Sequence, residues 1–463
     1  MATGGEAELF EGLPELVSPE RGGGRGAARL RMAERRQVEL RAISLEDLVP
    51  ADHRVRLVWR FVEGLDLSGF QAAIKAVEGQ PGHPPADPRI LVALWLFATI
   101  EGIGSARAVA RLCDEHIAYQ WLCGGVGMNA KTLADFRVDH GTLLERLLVD
   151  SFTALVRAGV ASLDRIAQDG VRVRASAGAA SFRRDSTLEG CRSAAEQAVR
   201  DLRAEVNGDP GALSRRQAAA RQRAAEERER RVREALAVTR ELRAQQEEKA
   251  RREAERAARQ AAQATAGEAA PAKERPKEPR ASTTDAQARI MKMADGGYRP
   301  AYNVQFASDT RSGAIAGVSV DTVGSDMGKM APMNEALAAD YGQRPGQHLA
   351  DGGFAKLADI ADLAHAGVVV YVPVPTPRNA ERDRYAPLPG DPPEVAAWRE
   401  RMNTDDAKAI YKERAQTAEC ANAQARNRGL KQFLVRGLEA VTATALWYAL
   451  AHNMACTWRL VWA

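Results

Sequence analysis

The stretch "RIAQDGVRVRAS", Arg165 to Ser176, decides the predicted fold. Side chains on a β-strand alternate between its two faces, so Asp169 would share one face with Ala167 and Val171. That face is apolar apart from the carboxylate. An isolated carboxylate is costly to bury and seldom stands unpaired on a core face. If this stretch is a core strand, Asp169 therefore needs a partner elsewhere in the protein.

Composition limits the class of protein. The chain has 463 residues, 45% of them hydrophobic, which suits about three domains with a substantial core. Its 65 basic and 61 acidic side chains give a net charge of only +4, so overall charge says little about partners. Five cysteines without a Cys-x-x-Cys pair indicate reduced thiols. The absence of a signal peptide and of a bilayer-length apolar run predicts a cytoplasmic protein without a membrane partner.

The N-terminal third is predicted to be a tail followed by helices. Residues 1–36 include "RGGGRGAARL" and show no periodicity, which predicts a flexible basic tail. In residues 37–160, Asp87 and Pro88 can begin a helix that Gly102 ends, and Ser105 can cap the next helix. Two helices joined by a short turn are typical of a helix-turn-helix. The periodicity alone favours a helical subdomain with solvated arginines, because such helix pairs are common.

A long insertion divides the second part of the chain, residues 161–463. Within residues 187–280, the segment from Leu213 to about Thr265 consists almost wholly of Arg, Ala, Glu and Gln. It has too few apolar positions for a self-sufficient coiled coil, so we expect one half of an exposed helical hairpin. The Pro- and Lys-rich stretch "GEAAPAKERPKEPRAS" then predicts a flexible linker back to the main body.

Strands and helices alternate after the insertion. "AYNVQFAS" and "AIAGVSVDTV" are typical of paired strands, and "QHLADGGF" predicts a short strand that ends at Asp351. "VVVYVPV" predicts a further buried strand, Pro-rich loops follow to about Thr404, and two helices close the chain. Together with the helical N-terminal part, this order predicts an α/β core with a helical bundle in front of it.

Three carboxylates stand out by their positions relative to the predicted strands and helices. Asp169 lies within a strand, Asp351 follows a strand immediately before Gly-Gly, and Glu419 lies on a helix. Each of them singly is more easily explained as structural. Their order and placement favour a joint role, because three oxygen donors suit Mg²⁺ or Mn²⁺. Two such ions can hold the attacking and leaving oxygens of a phosphoryl transfer.

Seven motifs follow one another between residues 30 and 460. They are "GHPPADPRILVALWLFATIEGIGSARAVARLCDEHIAYQWLCGG", "KTLADFRVDH", "AQDGVRVRASA", "GGYRPAYNVQFASD", "LADGGF", "YKERAQTAECANAQAR" and "GLKQFLVRGLEAV". In these motifs and in their order the chain resembles the DDE transposases of bacterial insertion sequences, in the branch with a Tyr-Arg-Glu-Lys signature. Several motifs in the right order are specific where one alone would not be.

The resemblance implies a ribonuclease H-like mixed-sheet catalytic core, an N-terminal all-helical DNA-binding domain and a long helical insertion. Asp169, Asp351 and Glu419 would be the catalytic triad, holding two Mg²⁺ or Mn²⁺ ions. Tyr411 and Arg414 would be signature residues near the cleaved DNA end. Arg426 stands where the branch usually has lysine, and a planar arginine contacts phosphate differently from a lysine.

The implied function is transposition. The protein would bind the terminal inverted repeats of its element, cleave the ends and join the 3′-ends to target DNA, as a homodimer on the bacterial nucleoid. Further DNA contacts are expected from clustered cations of the helical region, although a solvating role fits each equally well; these cations are Arg107, Arg111, Lys131 and Arg137. Two alternatives remain open, namely a catalytically silent DNA-binding regulator and a metal-dependent nuclease without strand transfer.

Overall fold

A computed structural model describes residues 36, 42–77, 79, 84–208, 214–263, 278–377, 379 and 381–459. From Leu45 onward these form one compact unit of mixed α/β structure. The strands are β1 (Arg165–Arg174), β2 (Phe182–Arg184), β3 (Arg280–Ser282), β4 (Arg289–Lys292), β5 (Tyr298–Asp309), β6 (Ile315–Asp321), β7 (Gln347–Leu349) and β8 (Val369–Tyr371).

Six of these strands build one mixed sheet around β1. The order is β4-β5-β1-β7-β8, and β6 also pairs with β5. Strand β1 runs antiparallel to β5 along almost its whole length and parallel to β7 only over Arg165–Ala167. The two short strands β7 and β8 are parallel. Asp169 therefore lies two residues beyond the point where the parallel pairing of β1 ends.

The core of the sheet explains why "RIAQDGVRVRAS" forms a strand. Ala167, Val171 and Val173 are buried on one face, as the alternation predicts, and Asp169 between them is half-buried. The opposite face is covered as well, since Ile166 and Gln168 are also buried. A strand packed on both faces is held rigidly, and its side chains are fixed in direction.

The described part of the chain contains fifteen α-helices. They are α1 (Arg54–Glu63), α2 (Ser68–Ala72), α3 (Pro88–Ile100), α4 (Ala106–Glu115), α5 (Ile117–Cys123), α6 (Ala130–Val138), α7 (Gly141–Arg157), α8 (Asp185–Gly208), α9 (Arg215–Gln263), α10 (Met330–Tyr341), α11 (Leu357–His365), α12 (Pro393–Asn403), α13 (Asp405–Arg414), α14 (Cys420–Asn427) and α15 (Leu438–Thr457). None of these helices has both the length and the apolarity that a bilayer crossing needs.

The helical region at the N-terminus is not packed by itself. Its caps form as predicted: the Asp87 carboxylate accepts from the backbone N–H of Arg89, and the Ser105 hydroxyl from that of Ala108. Helix α3 is buried nearly all round. The C-terminal helix α15 completes this core, and the Trp447 indole donates to the Arg137 carbonyl at 3.1 Å. The N-terminal helical region and the C-terminal helix α15 therefore share one core.

Helices α8 and α9 occupy the insertion and run antiparallel. The Thr239 hydroxyl donates to Asp185 at 2.8 Å, and Arg203 pairs with Glu226 at 3.3 Å. Strands β2 and β3 pair at the base of the insertion, which closes it where it leaves the main body. The predicted linker, 267–282, lies outside the described residues up to 277, and its last three residues are not flexible linker but strand β3. The predicted tail, apart from Arg36, also lies outside the described residues.

Two features differ from the sequence prediction. Helix α12 lies within the stretch predicted to be loops, because the buried Trp398 anchors it by donating to the Val372 carbonyl at 3.1 Å. Between α13 and α14, Ala415–Glu419 form a π-helical segment instead of a regular α-helix. The π-segment adds a residue to the turn and so rotates the direction of every side chain that follows it.

Candidate active site

Asp169 stands at the centre of the candidate site. Its Oδ2 accepts a hydrogen bond from the Asn422 side chain at 2.9 Å, and its Oδ1 accepts from the backbone N–H of Gly170 at 2.9 Å. Burial raises the pKa of this carboxyl; the Asn422 hydrogen bond and the charge of Arg414 oppose the rise, whereas the negative charge of Asp351 adds to it. Burial is therefore the main cause of the raised pKa, and the neighbouring carboxylate of Asp351 is a smaller one.

Asp351 lies where a strand-end carboxylate was predicted. It follows β7 and caps a single 3-10 turn, Gly352–Phe354, with its Oδ1 accepting from the backbone N–H of Gly353 at 2.8 Å. The buried ring of Phe354 anchors that turn in the core. Because β7 is the parallel neighbour of β1, the end of β7 brings Asp351 within electrostatic range of Asp169.

Glu419 is the last residue of the π-helical segment and is exposed. Its Oε1 accepts from the Arg414 guanidinium at 2.7 Å. Single π-turns inside helices are frequent at functional sites, because they redirect a side chain that a regular helix would place elsewhere. Glu419 and Arg414 are five residues apart, the spacing of one π-turn, so the segment turns these two side chains toward each other.

Arg414 interacts with two of the three carboxylates, Asp169 and Glu419. Its guanidinium pairs with Glu419, is close enough to interact with the charge of Asp169, and lies 5.8 Å from the centre of the Tyr411 ring. Burial raises the pKa of the Tyr411 hydroxyl, and the charges of Asp351 and Glu419 add to that rise. The structure thus brings the predicted triad and the signature pair of tyrosine and arginine into one neighbourhood.

The carboxylates are not arranged as a ready metal cage. Among the described residues, no group of three or more His, Cys, Asp or Glu side chains is placed to hold one metal ion. The Arg414 guanidinium contacts Glu419 instead. An exposed ion pair of this kind contributes about 0–1 kcal/mol, so turning Glu419 away from Arg414 costs little. The prediction of one shared cation cradle therefore stays a prediction that requires this side chain to move.

Asn422 is a site residue that sequence reasoning missed. It is buried, stands three residues after Glu419 on α14, and donates to Asp169. Its own Oδ1 is buried without a hydrogen-bond partner among the described residues. Residues three apart on a helix share a face, so the spacing from Glu419 could have indicated it. The spacing alone does not show that α14 packs against β1, so it could not identify Asp169 as the partner of Asn422.

Arg426 makes no ion pair within the described part of the chain. It is exposed and lines a groove that also contains Gly170, the residue next to Asp169. Its equivalence to the family's lysine rests on the resemblance and stays a prediction. Glu419 and Arg426 belong to the same helical run, and Arg426 reaches the flank of β1.

The four cations predicted to bind DNA in the helical region have different environments. Arg107, Arg111 and Lys131 are exposed, and the last two pair with acidic side chains four residues later, Glu115 and Asp135. Arg137 is buried, so the expectation that it contacts DNA does not fit the structure. Its guanidinium donates to the Gly104 carbonyl and lies 4.8 Å from the centre of the Trp95 ring.

We predict that Arg137→Ala destabilises the protein without a specific effect on DNA binding. The change removes the stacking on Trp95 and the hydrogen bond to Gly104, and leaves a cavity, for a loss of roughly 2–4 kcal/mol in the free energy of unfolding. Chemical denaturation measures it. Lys131→Ala is the matched control and should change the stability by less than about 0.5 kcal/mol. If Arg137→Ala left the stability unchanged but weakened DNA binding, the expectation that Arg137 contacts DNA would be supported after all.

Comparison with known families agrees with this architecture at both ends of the chain. A family model described as transposase domain (DUF772) matches residues 43–139, which cover α1 to α6. A second model, transposase DDE domain, matches residues 393–458, which include Glu419, Asn422 and α15. Asp169 and Asp351 lie outside both matches. No curated protein and no solved structure gives a significant match.

The two matched segments are far apart in sequence yet adjacent in the fold, because α15 packs against the helices of the N-terminal match. The second match contains the third carboxylate, and the strands that carry the other two carboxylates bring them to it. The two matches together support a DDE transposase of an insertion sequence.

Proposed function

We propose that the protein is an active transposase of the branch with the Tyr-Arg-Glu-Lys signature. It would bind the terminal inverted repeats of its element, cleave the DNA ends and join the 3′-ends to target DNA. The observation that carries the proposal is the gathering of Asp169, Asp351 and Glu419 around Arg414 and Tyr411. The sheet supports a ribonuclease H-like core, since antiparallel β6, β5 and β1 are followed by parallel β7 and β8.

The donor set fits divalent cations. Carboxylate oxygens are the preferred ligands of Mg²⁺ and Mn²⁺, and the buried Asn422 Oδ1 next to Asp169 is a further oxygen without a partner in the described residues. Asp169, Asp351 and Glu419 would hold two ions once Glu419 leaves Arg414. Bound ions would stabilise charge on the phosphate and activate the attacking oxygen.

The protein's own residues would position the DNA end. Asp169 accepts two hydrogen bonds, one from the Asn422 side chain and one from the Gly170 backbone N–H. These bonds fix the carboxylate before any ligand binds. Arg414, released from Glu419, would be a half-buried cation free to pair with a phosphate in a bidentate manner. The Tyr411 ring lies beside the guanidinium and restricts its movement.

Two further parts of the proposal concern the assembly and its location. Joining two ends of one element requires two active sites, so we expect a homodimer on DNA. The protein would act in the bacterial cytoplasm, on the nucleoid. A silent DNA-binding regulator and a nuclease without strand transfer are the competing functions. An intact set of three carboxylates favours catalysis over the first, and a labelled terminal-repeat substrate distinguishes all three by its products.

The triad assignment is tested by Asp351→Asn and Glu419→Gln. Each change removes a charge that would hold metal, so we expect metal-dependent cleavage of terminal-repeat DNA to fall about a thousand-fold, while binding of the same DNA in a gel-shift assay is retained. Glu335→Gln, on the exposed face of α10, is the matched control and should cleave normally. Cleavage at the normal rate by either triad variant would refute the assignment.

A further inference from the structure

A groove along the flank of β1 is strongly basic. Five cations and one carboxylate line it, around the buried side chain of Leu430; these are Arg172, Arg174, Arg299, Arg426, Lys431 and Asp295. Of the cations, Arg299 pairs with Asp295 at 2.7 Å, and Arg172 donates to the Gly324 carbonyl at 2.7 Å. These two have internal partners and are less available to a ligand.

The other three cations are available. Arg174, Arg426 and Lys431 are exposed and make no ion pair within the described part of the chain. Two of them are fixed relative to each other by the backbone, because the N–H of Arg174 donates to the Lys431 carbonyl at 3.2 Å. Three uncompensated charges on one concave surface repel each other and favour a polyanion.

The groove begins beside the candidate active site. Gly170 lines it, and the neighbouring residue is Asp169. Arg174 lies five residues further along the same strand, which corresponds to about 16 Å at the rise of a β-strand. In B-form DNA the same distance spans about five base pairs. A duplex whose end reached the carboxylates would therefore pass its backbone over the groove.

We propose that this groove binds the phosphate backbone of the DNA duplex about five base pairs from the reacting end, with Arg174 and Lys431 as positioning residues. The inference rests on the proposed function for the location of the reacting end. It assigns a role in DNA binding to Arg174 and Lys431, which belong neither to the three carboxylates nor to the signature residues. Neither touches the reacting atoms, so their role would be to fix where the duplex lies relative to Asp169.

The test is the salt dependence of DNA binding by the full chain. The probe is a short fluorescent duplex of arbitrary sequence, because backbone contacts carry no sequence information. Each phosphate contact contributes about 0.9 to the slope of the logarithm of affinity against the logarithm of salt concentration. We expect Arg174→Ala combined with Lys431→Ala to reduce that slope by about two. The charge-conserving pair Arg174→Lys and Lys431→Arg should keep it.

Arg344→Ala serves as the control outside the groove. Arg344 is exposed in the turn before β7, at the opposite end of that strand from Asp351, and its loss should leave the slope unchanged. An unchanged slope in the Ala pair would overturn the groove proposal, even if the wild type cleaves DNA as proposed. If inorganic phosphate bound in the groove and duplex DNA did not displace it, the groove would be a small-anion site. That result would also overturn the proposal.

The two proposals fail separately. Glu419→Gln should abolish cleavage, and adding Arg174→Ala and Lys431→Ala to it should still reduce its slope by about two, because Glu419 is not among the residues that line the groove. If the wild type never cleaves DNA but the Ala pair has a reduced slope, the groove proposal would be supported and the proposed enzymatic activity contradicted.

Discussion

Replacing Asp169 by asparagine is expected to abolish cleavage without destabilising the metal-free protein. The carboxylate is half-buried and burial raises its pKa, so the charge itself is unfavourable where it stands. The amide keeps the shape of the side chain and the hydrogen bond from the Gly170 N–H to Oδ1. Its new N–H group can donate to the buried Asn422 Oδ1, which lacks a partner in the described residues, after that amide turns over.

The Asp169→Asn protein is expected to keep its stability and to lose its cleavage activity. The metal-free Asp169→Asn protein should unfold at the wild-type temperature or up to about 2 °C above it. Cleavage should fall by about a thousand-fold. Addition of Mg²⁺ should raise the unfolding temperature of the wild type but not of the variant, because a ligand stabilises only a state that binds it. Residues retained for function commonly reduce stability in this way.

The control for this prediction is Gln168→Ala, on the other face of the same strand. Gln168 is buried and donates to Gln305 at 3.0 Å, so its loss should destabilise the protein while leaving the carboxylates in place. If Asp169→Asn were instead the more destabilised of the two, its carboxylate would be a structural group, and the explanation for the apolar surroundings of Asp169 would be wrong.

Sequence periodicity predicted those parts of the fold that depend on local pattern. The alternation around Asp169, the caps at Asp87 and Ser105, and the strand ending before Asp351 were all visible because each depends on residues close in the chain. The class of protein was identified by a resemblance and agrees with the two family matches. Local patterns thus predict individual strands, helices and caps, but they do not predict how these elements pack against one another.

Features that depend on distant contacts were not predictable in this way. The burial of Arg137 depends on Trp95 and on the helix that carries Trp447, more than 300 residues away. A cationic side chain in a helix is usually solvated, so its sequence context favoured exposure. The π-segment before Glu419 likewise has no simple sequence signal, and neither has the hydrogen bond from Asn422 to a strand 253 residues earlier.

Gly170→Ala is expected to damage both stability and cleavage. Gly170 lies next to Asp169, and its α-carbon faces a buried polar cluster across the strand pair. A Cβ built there would collide with the Asp326 carboxylate and the Gln305 amide, and would lie 3.0 Å from Asn303 Oδ1. These groups cannot easily move aside, because the Asp326 Oδ1 accepts from Asn303 and from Gln305, each at 2.7 Å.

The strand must therefore shift or the cluster must break. Either adjustment should cost about 3 kcal/mol in the free energy of unfolding. Cleavage should fall further than the loss of folded protein explains, since a displaced β1 misplaces the Asp169 carboxylate, and a 1 Å error in a reacting geometry is worth about a hundred-fold in rate. Chemical denaturation and cleavage of labelled terminal-repeat DNA, each corrected for the folded fraction, measure the two effects.

Gly190→Ala provides a matched control of opposite sign. Gly190 lies inside the exposed helix α8, and a Cβ added there meets nothing within 4 Å among the described residues. Alanine is the better helix former by about 1 kcal/mol, so this change should stabilise the protein and leave cleavage unchanged. A Gly170→Ala protein as stable and as active as Gly190→Ala would mean that β1 tolerates displacement. The rigid placement of Asp169, on which the proposed chemistry depends, would then have no structural basis.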